Sequence, residues 1–190
     1  VVFGRASKSV KDFADGAARN LGQSKQAVLD AAGTFGTFGK AAGLAGEDLS
    51  TFTTDFVTLS TDLASFNNTS PEEAVMAIGA ALRGESEPLR RYGVLLNDAV
   101  LKQEAMTLGI YDGKGALTSQ QKVLAAQAAI YRQTNDAQGD FMRTSDGLAN
   151  STRTLKAVMD DAKVAIGQAF LQQAETATKN ILFLSKALEA

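Results

Sequence analysis

Cysteine and histidine are both absent from the 190 residues, and only two prolines stand against 17 glycines. Without cysteine there is no disulfide framework, thiol nucleophile or thiolate metal site. Without histidine the commonest metal ligand and general base are missing too. Most triad-type hydrolase and zinc chemistries are thereby excluded. The scarcity of proline leaves long helices possible. No window of about 18 residues stays apolar and uncharged, the length a bilayer-spanning helix needs. The nearest approach, the Gly/Ala/Phe-rich stretch, is interrupted by Asp30 and Lys40. The chain opens at Val1 without a signal-peptide pattern, and it is expected to be a segment of a longer protein.

What is present is ordinary for a soluble globular protein: 45% hydrophobic and 21% charged residues, in a chain long enough to bury a core. A formal net charge of −2 names no partner, but its distribution is uneven. Residues 1–40 carry six basic and three acidic side chains. Residues 47–87 carry eight acidic ones (Glu47, Asp48, Asp55, Asp62, Glu72, Glu73, Glu85, Glu87) against Arg83 alone. Such an acidic belt would repel nucleic-acid phosphates.

Helical periodicity dominates. Phe52, Phe56, Leu59, Leu63 and Phe66 follow one another at spacings of four, three, four and three, with Ser, Thr and Asp between them, and predict an amphipathic helix. Ser70, Pro71 and Glu73 then supply an N-cap, a first-turn proline and a capping-box acid for a helix carrying Val75, Ile78 and Leu82 to Gly84. Pro88 opens a short turn ending near Gly93. Asn97 caps a helix carrying Val100, Leu101 and Met106 to Gly109. Residues 111–115 are the clearest loop, Thr118 and Gln121 form another capping box, and the helix they start weakens near Gly139. A break follows at Ser145, Asp146 and Gly147.

From Leu148 onward no proline occurs, and Leu148, Leu155, Met159, Ile166, Phe170, Ala177, Ile181 and Leu188 alternate spacings of seven and four. This eleven-residue repeat keeps one apolar stripe nearly straight along a helix of roughly 64 Å. Two readings stay open: a core helix packed against the preceding ones, or a helix that self-associates through the stripe. The Thr-Phe-Gly repeat at 34–39, with Gly39 and Gly43 spaced four apart, is either a close helix-packing face or a soft joint.

Few chemistries pass a spacing test. Ser119 and Lys122 match S-x-x-K, but the serine lies in a capping box and no K-T-G element follows. Gly39-Lys40 and Gly113-Lys114 lack the upstream glycine of a phosphate loop, and Ala41 and Gly115 replace its Ser/Thr. Glu85 and Glu87 lie among Arg83, Arg90 and Arg91, which suggests ion pairing more than glycoside hydrolysis. Asp160 and Asp161 point about 100° apart on a helix and read as a solvated face. No catalytic, cofactor-binding or metal residue is assigned, and the chain is expected not to be an enzyme.

The run Leu82-Arg83-Gly84-Glu85-Ser86-Glu87-Pro88-Leu89-Arg90-Arg91-Tyr92-Gly93-Val94, then Leu96-Asn97, resembles a signature of phage tail tape measure proteins. The likeness continues through Leu117-Thr118-Ser119-Gln120-Gln121-Lys122 and through Gly139 to Asn150, with Arg153, Leu155 and Lys156 after it. It spans about residues 47–171. Where many such proteins have a proline soon after the Gly167–Leu171 stretch, this chain has Gln172 and Gln173. The resemblance implies a structural virion protein in the lumen of a long tail tube, setting tube length during assembly in the bacterial cytoplasm and leaving ahead of DNA on infection. It also implies a homo-oligomer, often a trimer, with tail tube and tail tip proteins and assembly chaperones as partners. No specific nucleic acid is implied, and membrane contact would be transient, on ejection. It carries over no catalytic residue. A peptidoglycan-cleaving domain and a membrane-active domain working through the Gly/Phe segment are the alternative readings.

The expected fold is all-α: a compact array of short helices followed by a long, self-associating C-terminal helix. The expected division is an Ala/Gly-rich helical segment at 1–46, a compact module at 47–147 and the long helix at 148–190. The candidate helix–helix or oligomer interface comprises Leu148, Leu155, Met159, Ile166, Phe170, Ala177, Ile181 and Leu188, with Phe52, Phe56, Leu59, Leu63 and Phe66.

Overall fold

The computed structural model describes residue 4 and residues 7–188, with side chains described as far as residue 180. Among the described residues there are nine α-helices, one 3-10 turn and no strand. The helices are α1 (Ser7–Asp15), α2 (Ala17–Leu21), α3 (Lys25–Ala41), α4 (Gly46–Phe66), α5 (Pro71–Leu82), α6 (Asp98–Thr107), α7 (Ser119–Gln133), α8 (Asp140–Arg143) and α9 (Leu148–Leu188), with the 3-10 turn at Glu87–Tyr92.

The punctuation is built from local chemistry. The Ser70 hydroxyl accepts from the Glu73 N–H at 3.2 Å, and Asn97 Oδ1 accepts from the Val100 N–H at 2.9 Å. Thr118 and Gln121 complete a reciprocal capping box. Each satisfies N–H groups that a helix start leaves open. Helix α7 stops at Gln133, short of Gly139, and residues 134–139 form a run of turns.

Helix α4 is the centre of the molecule, packed by α3 on one side and α5 on another. Phe52, Phe56, Leu59 and Leu63 are buried in one core with Phe35, Val28, Ile78 and Ile130. Phe56 stacks on Phe35 at 5.3 Å and meets Phe52 edge-on at 4.9 Å. The amphipathic reading of α4 needs correction, because Thr53, Ser60, Thr61 and Asp62 are buried as well. The Thr53, Ser60 and Thr61 hydroxyls return to carbonyls four residues back, as from Ser60 to Phe56 at 2.7 Å, and the Asp62 carboxylate accepts backbone N–H bonds, so a polar face can enter the interior with its hydrogen bonds made. Phe66 keeps the spacing yet is 54% exposed, since it stands on the last turn of α4, beyond the helices that cover the rest.

Val10, Ala14, Leu21, Val28 and Phe35 share one continuous core with α4 and α5. The Gly/Phe stretch is helix, and an ideal Cβ on Gly39 would lie 2.7 Å from Leu49 Cδ1 and 2.9 Å from Phe52 Cδ1. Close packing therefore explains Gly39, whereas Gly43 lies past the helix end at φ 80 and forms no small-residue face with it. Helix α6 packs on α7 through Leu101 and Ala105, in a small second cluster with Leu117 and Ala125, while Met106 is exposed.

Candidate assembly site on the last helix

Helix α9 has two faces with different chemistry. At about 100° per residue, Asn150, Arg153, Ala157 and Asp161 share one face. Asn150 and Ala157 are buried there, and Arg153 and Asp161 half-buried. Leu148, Leu155, Met159, Ile166, Phe170 and Ala177 share the face about 180° away. These are the exposed ones: Leu148 86%, Leu155 61%, Met159 52%, Ile166 71% and Phe170 71%. Ala177 is exposed as well, and Ile181 and Leu188 lie outside the residues whose side chains are described. The stripe is thus not packed against the preceding helices.

The docked face is held chiefly by polar contacts. Arg153 donates from Nη2 to the Thr69 carbonyl at 2.8 Å and the Ala64 carbonyl at 3.4 Å, and from Nη1 to Asn150 Oδ1 at 2.7 Å. A cation thereby sits at the carboxyl end of α4, where the dipole is negative, and shares the Ala64 carbonyl with the Thr69 N–H. At the other end of the contact, Asp161 Oδ1 accepts from the Lys25 N–H, the first of α3, at 2.8 Å. An anion there meets the positive end of a helix. Asp161 is therefore a docking residue rather than part of a solvated face, and Asp160 pairs with Lys163 at 2.9 Å.

Asn150 continues the clasp. Its Nδ2 donates to Ser65 Oγ and Thr144 Oγ1, both at 2.8 Å, and the Ser65 hydroxyl donates to Asp140 Oδ2 at 2.6 Å. Deeper in, the Asp62 carboxylate accepts from the Gly139 N–H at 2.7 Å and the Phe141 N–H at 3.1 Å, which fixes the start of α8. Burial pushes the Asp62 carboxyl above the usual range and the Asp140 charge adds to this, while the two N–H bonds and Arg143 pull it down. Gly22, at φ 58, permits this docking, because a Cβ there would meet Phe141 Cε2 at 2.8 Å and Arg153 Cβ at 3.2 Å.

The sequence singles out Asn150 and Arg153 only within the resemblance, counts Asp62 only in the acidic belt and gives Ser65 no role. The available signal was an aspartate inside an otherwise Phe/Leu-rich helical run, a residue type seldom buried without partners.

The sites weighed for chemistry are scattered and exposed. Glu85 lies 3.8 Å from Arg83 and Glu87 2.9 Å from Arg90, with carboxylates 71% and 77% exposed. Ser119 and Lys122 are exposed on the first turn of α7. An open cavity of about 260 Å³ beside α4 is lined by Asp55, Thr58, Asp62, Tyr131 and Gln138. There the buried Tyr131 hydroxyl lacks a hydrogen-bond partner, and desolvation, with the Asp55 and Asp62 charges, raises its pKa. Among the described residues no group of three acidic side chains is placed to hold a metal ion, and no helix is long and apolar enough to cross a membrane.

Compared with protein-family models, with curated proteins and with solved structures, the chain finds no match in any of the three.

Proposed function

We propose that this chain is a segment of a phage tail tape measure protein, a structural component that sets tail-tube length during assembly and is expelled ahead of DNA. The observation that carries the reading is the ordered series of signature-like residues at 82–97, 117–122 and 139–156. Their structural roles suit a protein whose work is architectural. Leu89, Tyr92 and Val94 are buried around the 3-10 turn, Gly93 closes it at φ 77, and the Tyr92 hydroxyl lies 3.1 Å from Thr69 Oγ1. In the later part of the series, Gly139, Asp140, Asn150 and Arg153 build the clasp that holds α9. A helix of 41 residues adds a fixed rise of about 1.5 Å per residue, which a ruler requires and a flexible chain lacks.

In this reading several copies lie side by side in the tube lumen, in contact with tail tube and tip proteins and handled by assembly chaperones. The Gly/Phe segment that a membrane-active reading would use is occupied in the core, with Phe35 fully buried. The test uses the phage that carries the gene. Peptides of this chain should appear by mass spectrometry in purified full virions and be lost from particles triggered to release their DNA. Retention in emptied particles, or absence from full ones, would overturn the proposal.

A further inference from the structure

Three aspartates in this chain are followed directly by glycine: Asp15-Gly16, Asp112-Gly113 and Asp146-Gly147. In each pair the glycine nitrogen, unshielded by a side chain, can reach the aspartate Cγ by closing a five-membered ring. As dipeptides the three are equivalent, and all three aspartates are exposed. The backbone around them separates them.

Gly16 and Gly147 are each held at both ends. The Gly16 N–H donates to the Phe13 carbonyl at 3.3 Å, and its own carbonyl accepts from the Asn20 N–H at 3.1 Å. The Gly147 N–H donates to the Thr144 carbonyl at 2.9 Å, and its carbonyl accepts from the Ser151 N–H at the same distance. Swinging either nitrogen onto the preceding Cγ turns the peptide plane out of place and breaks these bonds. The Asp15 carboxylate is further occupied by Lys25.

Gly113 carries neither restraint. It lies in the exposed link between α6 and α7 at φ 86, and neither its N–H nor its carbonyl bonds to a described residue. An ideal Cβ there would meet nothing within 4 Å, so its surroundings leave the peptide plane free to turn. The carboxyl is already folded back along the chain. Asp112 Oδ1 accepts from the Lys114 N–H at 3.0 Å, closing a turn that contains both Asp112 Cγ and the Gly113 nitrogen. The same hydrogen bond draws electron density from Cγ, the atom to be attacked.

We propose that Asp112 is a site of spontaneous covalent modification, isomerising through a succinimide to isoaspartate, and that Asp15 and Asp146 are protected in the folded chain. The Gly113 nitrogen adds to Cγ of the protonated carboxyl. The amide proton and the carboxyl hydroxyl leave as water, and the new Cγ–N bond closes the ring. Water then adds to the main-chain carbonyl of residue 112 and breaks its bond to that nitrogen. The chain now runs through Cβ and Cγ, and the carboxylate stands on Cα. Addition of water at Cγ instead restores aspartate. Composition and mass are unchanged, but one carbon enters the main chain of the link. Helices α6 and α7 stay joined through Glu104 with Arg132 and through Leu101, Ala105 and Ala125, so the fold accommodates the change.

The test keeps the 190-residue chain in warm neutral buffer for several weeks, either folded or denatured in urea. Isoaspartate is then labelled with an isoaspartyl methyltransferase and S-adenosylmethionine, and located by peptide mapping with electron-transfer fragmentation. In urea the three pairs should react within a few-fold of one another. In the folded chain residue 112 should accumulate isoaspartate at least about tenfold faster than residues 15 and 146, where two backbone hydrogen bonds must first break. Asp112→Glu, which would need a six-membered ring, should remove most of the folded chain's signal and leave its melting transition unchanged. Rates at residues 15 or 146 that match residue 112 in the folded chain would overturn the proposal. So would a folded chain without isoaspartate at residue 112 when the denatured chain forms it, or a signal that survives Asp112→Glu. None of these outcomes bears on whether the chain is present in virions, so this inference and the proposed function fail separately.

Discussion

Asp62 shows how a single side chain couples burial, hydrogen bonding and pH. It is 5% exposed, and its two acceptor bonds hold the start of α8. Because its carboxyl sits above the usual range, the folded chain keeps this proton at pH values where the unfolded chain has released it. Its stability contribution is therefore full below the unfolded value and lost as pH rises through the raised one. Asp62→Asn, which retains one acceptor oxygen for two donors, should cost about 1 kcal/mol in acid, with the deficit shrinking toward neutral pH. Urea unfolding of both proteins between these limits checks the sign, and a deficit that grows with pH would contradict it. Gly39→Ala sets about 0.8–1 kcal/mol of helix propensity against a Cβ wedged at 2.7 Å from Leu49, and overpacking of about 1–3 kcal/mol should win. Denaturant midpoints should show net destabilisation. Phe56→Ala, removing a ring with no exposure from the centre of the core, should cost about 3–5 kcal/mol in the same assay.

The elements themselves were legible wherever their signals are local. Ser70-Pro71, Asn97, Thr118 with Gln121, and the glycine stops at 84, 93 and 109 act within one turn of chain, and each works as its sequence implies. What surrounds an element is not local, and there the sequence was ambiguous. Helix α4 reads as amphipathic because serine and threonine are polar, yet inside a helix they return their hydroxyls to its own carbonyls and can be buried. The spacing of α9 identified its apolar stripe without saying what the stripe faces. The body instead took the side carrying Asn150, Arg153 and Asp161, where the two charges match the dipoles at the carboxyl end of α4 and the amino end of α3. Removing that match should release the base of α9 selectively. Arg153→Ala is expected to speed amide hydrogen exchange across residues 139–157 at least several-fold, while amides in the middle of α4 keep their protection. Uniform loss of protection, or none, would show that the clasp does not hold the helix.

At the scale of the whole molecule, the compact core assembled from residues 10–137 and the free stripe of α9 are separable in kind. The first is closed by apolar burial, and the described side chains of the second stand exposed. The acidic stretch at 47–87 is distributed over α4, α5, the link that follows α5 and the 3-10 turn. Three of its members, Glu73, Glu85 and Glu87, pair with Arg91, Arg83 and Arg90. The central claim is that α9 contributes length as helix. The most direct measurement is tail length by electron microscopy in phage whose full-length gene lacks residues 166–187. That deletion spans two eleven-residue repeats and lies beyond the body, so stripe register and core are both retained. Tails shorter by roughly 33 Å are predicted from about 1.5 Å per residue. Tails of unchanged length on viable particles would contradict the account.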